Sequence, residues 1–242
     1  MASHVLKIRD LTVSYHGIPA VHHVNLDIHC GNCVALLGPN GAGKTSLFKA
    51  MVGLVKAETG SVEFGGHGAR RTRDEIAYLP QREDVDWDFP ITVRGLVEMG
   101  RYARLGWWRT FGNADAEAVQ RALSRMELDD LAHRQIRALS GGQQQRAFIA
   151  RALAQDAHVL LLDEPFNGLD RPAQLMLAST LRGLAAEGNL VIASHHDLKS
   201  VPDLFDQVIF LNGELVAYGG TAEVFTEENI EKTHGTRPFA GN

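Results

Sequence analysis

Cysteine is scarce in this chain: its 242 residues hold only Cys30 and Cys33. Their C-x-x-C spacing, with His22, His23 and His29 nearby, raises a metal or redox site. A structural zinc site, however, needs two more ligands in a matching spacing. The pair flanks Gly31-Asn32 and reads more simply as a turn into a buried strand. Long apolar runs are missing too. None approaches the roughly 18 residues of a membrane helix, so any membrane contact requires a partner. The start, Met1 to Lys7, lacks the charged and apolar regions of a signal peptide, and the expectation is a cytosolic chain. No charge of one sign dominates. A net charge of −5 gives no basic footprint for nucleic acid. No low-complexity linker and no internal repeat interrupts the sequence.

What is present is a globular core, with 45% hydrophobic residues. Val24, Leu26 and Ile28 alternate with Asn25, Asp27 and His29, a strand with one buried face. Cys33 to Leu37 and Val159 to Leu162 are continuous apolar runs, as in strands buried on both faces. Ser46 to Leu54 reads as a helix and Ser61 to Phe64 as a short strand closed by Gly65-Gly66. Between about Thr92 and Gln155 strand signals fade. Ala114 to Leu131 carries Val119, Ala122, Leu123 and Met126 on one helical face. Asn113 is placed to cap it, with Asp115 and Glu117 at the positive end of its dipole. A second helix follows Ser140. Pro172 falls in the first turn of a helix that Gly188 ends. Leu190 to Ala193 is a further strand. Val208 to Leu211 and Glu214 to Tyr218 flank Asn212-Gly213, a two-residue hairpin signal. The tail after Gly219 leaves little room for a regulatory domain.

Three motifs carry chemistry. Gly38-Pro39-Asn40-Gly41-Ala42-Gly43-Lys44-Thr45 matches G-x-x-x-x-G-K-[ST], with a buried strand leading in and a helix leading out. Glycines let backbone N–H groups converge on phosphate oxygens, and the helix N-terminus adds donors. Lys44 reaches the β- and γ-phosphates, and the hydroxyl of Thr45, or of Ser46, ligates Mg²⁺. Asp163 ends an apolar strand, the place where parallel sheets bind ligands, and can hold Mg²⁺ through water. Glu164 follows and can polarise the attacking water. Between these stands Leu139-Ser140-Gly141-Gly142-Gln143, a polar loop at a helix N-terminus and so a ready anion site.

In this order the motifs resemble the nucleotide-binding subunit of an ATP-binding cassette (ABC) transporter, over nearly the whole length. The resemblance implies an α/β fold: a P-loop NTPase core of ABC type, an N-terminal antiparallel β subdomain and an inserted helical subdomain. It places the core at residues 1–90 and 156–242 and the helical subdomain at 91–155. It implies ATP and Mg²⁺ as ligands and a homodimer of cassettes. Ser140, Gly141, Gly142 and Gln143 would contact the γ-phosphate held by the other copy. Tyr15 resembles the aromatic that stacks on adenine. Gln81 resembles the glutamine that senses Mg²⁺ and the attacking water. Asn167-Gly168-Leu169-Asp170 resembles the loop that crosses the dimer interface, with first residues unlike the commoner Ser-Ala or Ser-Gly. Ser194-His195-His196-Asp197-Leu198 resembles the switch-histidine segment. Position before Asp-Leu selects His196, whose neutral imidazole would contact the γ-phosphate and orient water. His195 reads as a packing or supporting residue.

Asp84 to Val93, with Met99-Gly100-Arg101-Tyr102, is similar to the subfamily that imports manganese, zinc or iron(II), manganese being favoured. That resemblance implies membrane permease subunits and, indirectly, an extracytoplasmic metal-binding protein, with this chain on the cytoplasmic face of the membrane. Trp87, Phe89 and Trp107-Trp108 either offer apolar surface to the permease or pack within the helical subdomain. Two other readings compete. A soluble cassette ATPase acting on ribosomes or DNA usually carries two cassettes or a long coiled-coil insertion, and neither is visible. A nucleotide-binding scaffold without turnover sits poorly with Lys44, Asp163, Glu164 and His196 all present.

Overall fold

Alternating strand patterns build one sheet and continuous apolar runs build another. The protein is described by a computed structural model covering residues 4–66, 72, 74–81, 85–105 and 110–235. Strands β1 (Val5–Tyr15), β2 (Ile18–His29) and β4 (Thr59–Phe64) form an antiparallel sheet in the order β2-β1-β4. In β2, Val24, Leu26 and Ile28 are buried while Asn25, Asp27 and His29 are exposed, as their alternation requires.

The second sheet combines β3 (Cys33–Leu37), β5 (Ile76–Leu79), β6 (Val159–Leu162), β7 (Leu190–His195), β8 (Gln207–Asn212) and β9 (Glu214–Gly220) in the order β5-β6-β7-β3-β8-β9. Its first five strands run parallel, and β9 pairs antiparallel at the edge. Every residue of β3, β6 and β7 is buried. Both faces of these strands must therefore be covered. Val34 and Leu36 point into a core shared with β1, β2 and helix α1 (Lys44–Met51). Cys33, Ala35 and Leu37 point into a second core. That core is made largely by α2 (Val93–Leu105), α3 (Asn113–Arg125), α4 (Gly141–Ala154) and α5 (Arg171–Ala186). The short helices α6 (Val201–Leu204), α7 (Thr221–Val224) and α8 (Glu227–His234) complete the chain, with Val224, Phe225 and Ile230 packed on the second core. Among the described residues no helix is long and apolar enough to cross a membrane.

Local chemistry corrects several expected boundaries. Helix α1 begins at Lys44 and ends at Met51, because the chain turns at Gly53 with φ 73°. Helix α3 ends at Arg125, and Glu127 at φ 54° separates it from a short 3-10 turn, Asp129–Leu131. Its cap is Gly112, not Asn113: the Gly112 N–H donates to Asp115 Oδ2 at 3.0 Å, so the carboxylate closes the helix start from inside. The hairpin also differs. Asn212 pairs with Glu214 as part of the ladder, leaving Gly213 alone at the tip. Gly213 is held from two sides, donating to the Ala42 carbonyl at 3.0 Å and accepting from His22 N–H at 2.8 Å. Helix α5 meets expectation: Asp170 caps it, Pro172 lies in its first turn, and Gly188 at φ 99° follows its end.

Cys30 and Cys33 do flank a turn between β2 and β3. Burial pushes the Cys33 thiol up to about 12 and the Cys30 thiol up to about 11, so both are protonated at neutral pH and weak nucleophiles.

Arg101 of α2 joins three helices of the second core. Its Nε donates to Asp115 Oδ1 at 2.9 Å, and its Nη1 donates to the Ala154 carbonyl at 2.8 Å and to Asp156 Oδ2 at 2.5 Å. The Arg101 and Asp115 side chains are almost wholly enclosed. Arg101→Ala should lower stability by about 3 kcal/mol, since removing one member of a buried pair leaves the other's desolvation uncompensated. An unchanged urea midpoint would contradict this role.

Candidate active site

The loop from Gly38 to Thr45 joins β3 to α1, and two neighbours set its path. A Cβ on Gly43 would lie 2.2 Å from the Ala20 carbonyl oxygen; one on Gly38 would lie 2.1 Å from that of Leu211. Gly43 also adopts φ 93°. Glycine alone permits both close approaches. The loop is thus pressed between β2 and β8, with Gly213 bonded to Ala42. Residues Asn40 to Ser46 line a cavity of about 570 Å³, with Tyr15, Gln81 and Glu164 on its other walls. Because α1 starts at Lys44, its first N–H groups have no intrahelical acceptor at this cavity. Lys44 Nζ donates to the Gly38 and Pro39 carbonyls at 2.8 and 3.0 Å. Burial lowers its pKa, opposed by the nearby carboxylates of Glu164 and Asp163.

Register brings the acidic residues here. Leu79, Leu162 and Ala193 are paired neighbours near the ends of β5, β6 and β7, so the residues that follow converge at one level. Asp163 is buried there. Its Oδ2 accepts from Thr45 Oγ1 at 2.7 Å and its Oδ1 from Ser194 Oγ at 2.6 Å. Tyr78 OH lies 3.5 Å from the same Oδ2. Thr45 and Asp163 are hydrogen-bonded, and Gln81 lines the cavity that Thr45 lines; their oxygens are donors of the kind that magnesium takes.

Glu164 holds φ 52°, and its N–H donates to Ser194 Oγ at 2.8 Å. Gln81 Nε2 donates to its Oε1 at 3.3 Å, and Asn167 Nδ2 to its Oε2 at 3.4 Å. His196 is exposed, with Nδ1 3.9 Å from Glu164 Oε2. Tyr15, 43% exposed, stands on the β1–β2 hairpin at the cavity wall. The contacts of Ser194, Asn167 and Gly213 within one chain have no signal in the sequence. Ser194 lies within β7, and its contact with Asp163 depends on the pairing of Leu162 with Ala193, which no local pattern in the sequence signals.

Ser140, Gly141, Gly142 and Gln143 stand elsewhere. Ser140 caps α4: Gln143 N–H donates to Ser140 Oγ at 3.4 Å, and Ser140 N–H to Gln143 Oε1 at 3.0 Å. Ser140, Gly142 and Gln143 line a separate cavity of about 250 Å³ beside Leu169 and Met176. One copy of the chain therefore does not bring them to the Lys44 cavity. In the segment after Gln81, Trp87 packs on Phe148 with ring centroids 5.1 Å apart, while Phe89 is 54% exposed. The two aromatics thus divide between packing and surface. Asp84 and Trp107-Trp108 lie outside the described residues.

His195 is buried against Phe166 and Phe205, with centroids 5.5 and 5.6 Å away, and its Nε2 lies 2.7 Å from Ser200 Oγ. Burial pushes its pKa down to about 4, with His196 adding to the effect. The unfolded chain, at about 6.5, takes up this proton more readily than the folded one. Its contribution to stability is complete above pH 6.5 and is lost as pH falls towards 4. His195→Phe should therefore show a smaller drop in melting temperature between pH 7.5 and pH 5 than the parent. Equal drops would remove His195 as a source of acid sensitivity.

Residues 21–167 match the family described as ABC transporter. A manganese transport system ATP-binding protein of Halalkalibacterium halodurans is 43% identical over 95% of this chain and 92% of its own. A zinc transport system ATP-binding protein of Treponema pallidum is 40% identical over 97% of this chain and 88% of its own. Among solved structures, an inward-facing ABC transporter described as of metal-chelate type superposes with a TM-score of 0.83 at 28% identity, covering 96% of this chain and 89% of that one. A phosphate loop pressed against β2 and β8, an acidic pair at the end of buried β6, and matches of this extent identify one lineage: the chain belongs to the ABC transporter family and is an ATPase whose hydrolysis is coupled to transport.

Proposed function

We propose that this chain is the ATP-hydrolysing subunit of an importer for a divalent metal, manganese first, zinc or iron(II) next. The observation that carries the catalytic part is the single cavity shared by the phosphate loop, Gln81 and Glu164. The cargo assignment is supported by the segment after Gln81 and by relatives named for manganese and zinc transport. Residues 1–90 and 156–242 would act as the nucleotide-binding core and 91–155 as the helical subdomain.

The chemistry follows from the side chains. Amides of Asn40 to Ser46 and the Lys44 ammonium would hold the β- and γ-phosphates, and Tyr15 would stack on adenine. Thr45, Asp163 and Gln81 would hold Mg²⁺, which supplies positive charge at the phosphate oxygens. Glu164 would accept a proton from water as the water oxygen attacks the γ-phosphorus; the bond to the ADP oxygen breaks and inorganic phosphate forms. Gln81 and His196 would orient that water. Ser140, Gly141, Gly142 and Gln143 of a second copy would close the site, so ATP favours the closed homodimer and hydrolysis releases it. The location of Ser140, Gly142 and Gln143 at a separate cavity supports this reading. Phe89, Met99 and Tyr102, all exposed, would meet the permease subunits at the cytoplasmic face of the membrane. An extracytoplasmic binding protein would select the metal. Nucleic acid is not a partner on this reading.

Glu164→Gln should retain ATP-dependent dimerisation and lower turnover by at least about a hundredfold. Turnover at the parent rate would overturn the base assignment. Lys44→Ala should lose ATP affinity, read by equilibrium titration; parental affinity would count against the phosphate-loop assignment. Reconstituted with its permease in vesicles, the chain should drive ATP-dependent manganese uptake. ATPase stimulation by ribosomes or DNA, with none by the permease, would instead favour a soluble cassette.

A further inference from the structure

The carboxylate of Glu164 is held at both oxygens by carboxamides from different parts of the chain. Gln81 Nε2 donates to Oε1 at 3.3 Å and Asn167 Nδ2 to Oε2 at 3.4 Å. Asn167 acts twice, since its backbone N–H also donates to the Glu164 carbonyl at 3.1 Å and closes the turn between them. The turn needs closing. Glu164 is in the left-handed region at φ 52°, which a residue with a Cβ seldom occupies without support. Its N–H is already committed to Ser194.

We infer that Asn167 is a positioning residue for hydrolysis: its carboxamide holds the Glu164 carboxylate in place at the phosphate cavity. The inference rests on Glu164 being the base. A glutamate side chain has three rotatable bonds, and an unrestrained carboxylate samples poses that cannot reach the water. Two donors, one on each oxygen, select one pose. The carboxamide nitrogen is suited to this because it only donates, whereas a hydroxyl also accepts and can turn away. A serine hydroxyl at this position would also be one bond shorter. The residue type at 167 therefore sets how firmly the base is held. Asn167 is followed by Gly168 at φ 72° and by Leu169, whose side chain lies within 3.6 Å of where a Cβ on Gly142 would be. The same short segment thus touches the base at one end and the start of α4 at the other.

The test is Asn167→Ala and Asn167→Asp in the full chain. Asn167→Ala should lower kcat about fivefold to tenfold, the worth of one long, exposed hydrogen bond, with KM for ATP within about twofold. Asn167→Asp keeps the shape but replaces the donor with a like charge, and should lower kcat at least as far. Melting temperatures should stay near that of the parent. In the Glu164→Gln background, Asn167→Ala should leave ATP-dependent dimerisation at the same ATP concentration. A parental kcat in Asn167→Ala, or a loss confined to KM, overturns the inference. Weakened dimerisation in the double variant also overturns it, because Asn167 would then act at the interface. Parental turnover in Glu164→Gln alone would be a different failure, that of the base assignment itself.

Discussion

The Asp163 carboxylate is the interaction on which the site depends. It lies buried and is satisfied by two hydroxyls, Thr45 from the phosphate loop side and Ser194 from β7. Burying so polar a group is tolerable only because both oxygens are hydrogen-bonded. The arrangement in turn requires Leu162 of β6 to stand level with Ala193 of β7 and α1 to begin at Lys44. A shift of either strand by one residue would turn its side chains to the other face. Such a shift would take Asp163 away from Thr45 and Ser194, so strand register and site geometry share one cause.

Around this centre the molecule has two kinds of support. The phosphate loop is held by backbone: close carbonyls of Ala20 and Leu211, and the hydrogen bond from Gly213. The helices of the second core are held by side chains, with Arg101 joining α2 to α3 and to the end of α4. Gln81 follows β5 closely and reaches Glu164, so it stands where the parallel sheet hands over to the helical part.

Contiguous features could be read from the chain. The phosphate loop, the two acidic residues, the N-terminus after Ser140 and the Pro172 helix depend on neighbours a few positions away, and each lies where its pattern places it. The family resemblance, not spacing alone, points to His196 over His195; the structure puts the first beside Glu164 and the second in an aromatic pocket. Features set by distant register were not legible. Ser194 gains its partners only because β6 and β7 are adjacent, though 31 residues separate it from Asp163. Gly213 leaves the expected two-residue turn because Ala42 and His22 capture it. Asn113 was a sound cap by type, but Asp115 offers an ionised acceptor to Gly112 and also meets Arg101. A single carboxylate thus settles a helix boundary and a tertiary contact together.

The reciprocal bonds between Ser140 and Gln143 have an entropic consequence. They tie the first turn of α4 to itself, so its backbone is ordered within the isolated chain. A partner reaching that turn meets a surface already in one conformation. Association then costs translational and rotational freedom but little further ordering at this point. The same closure limits what the turn can adapt to: it favours ligands that fit amides in fixed positions over ligands that need the loop to change shape.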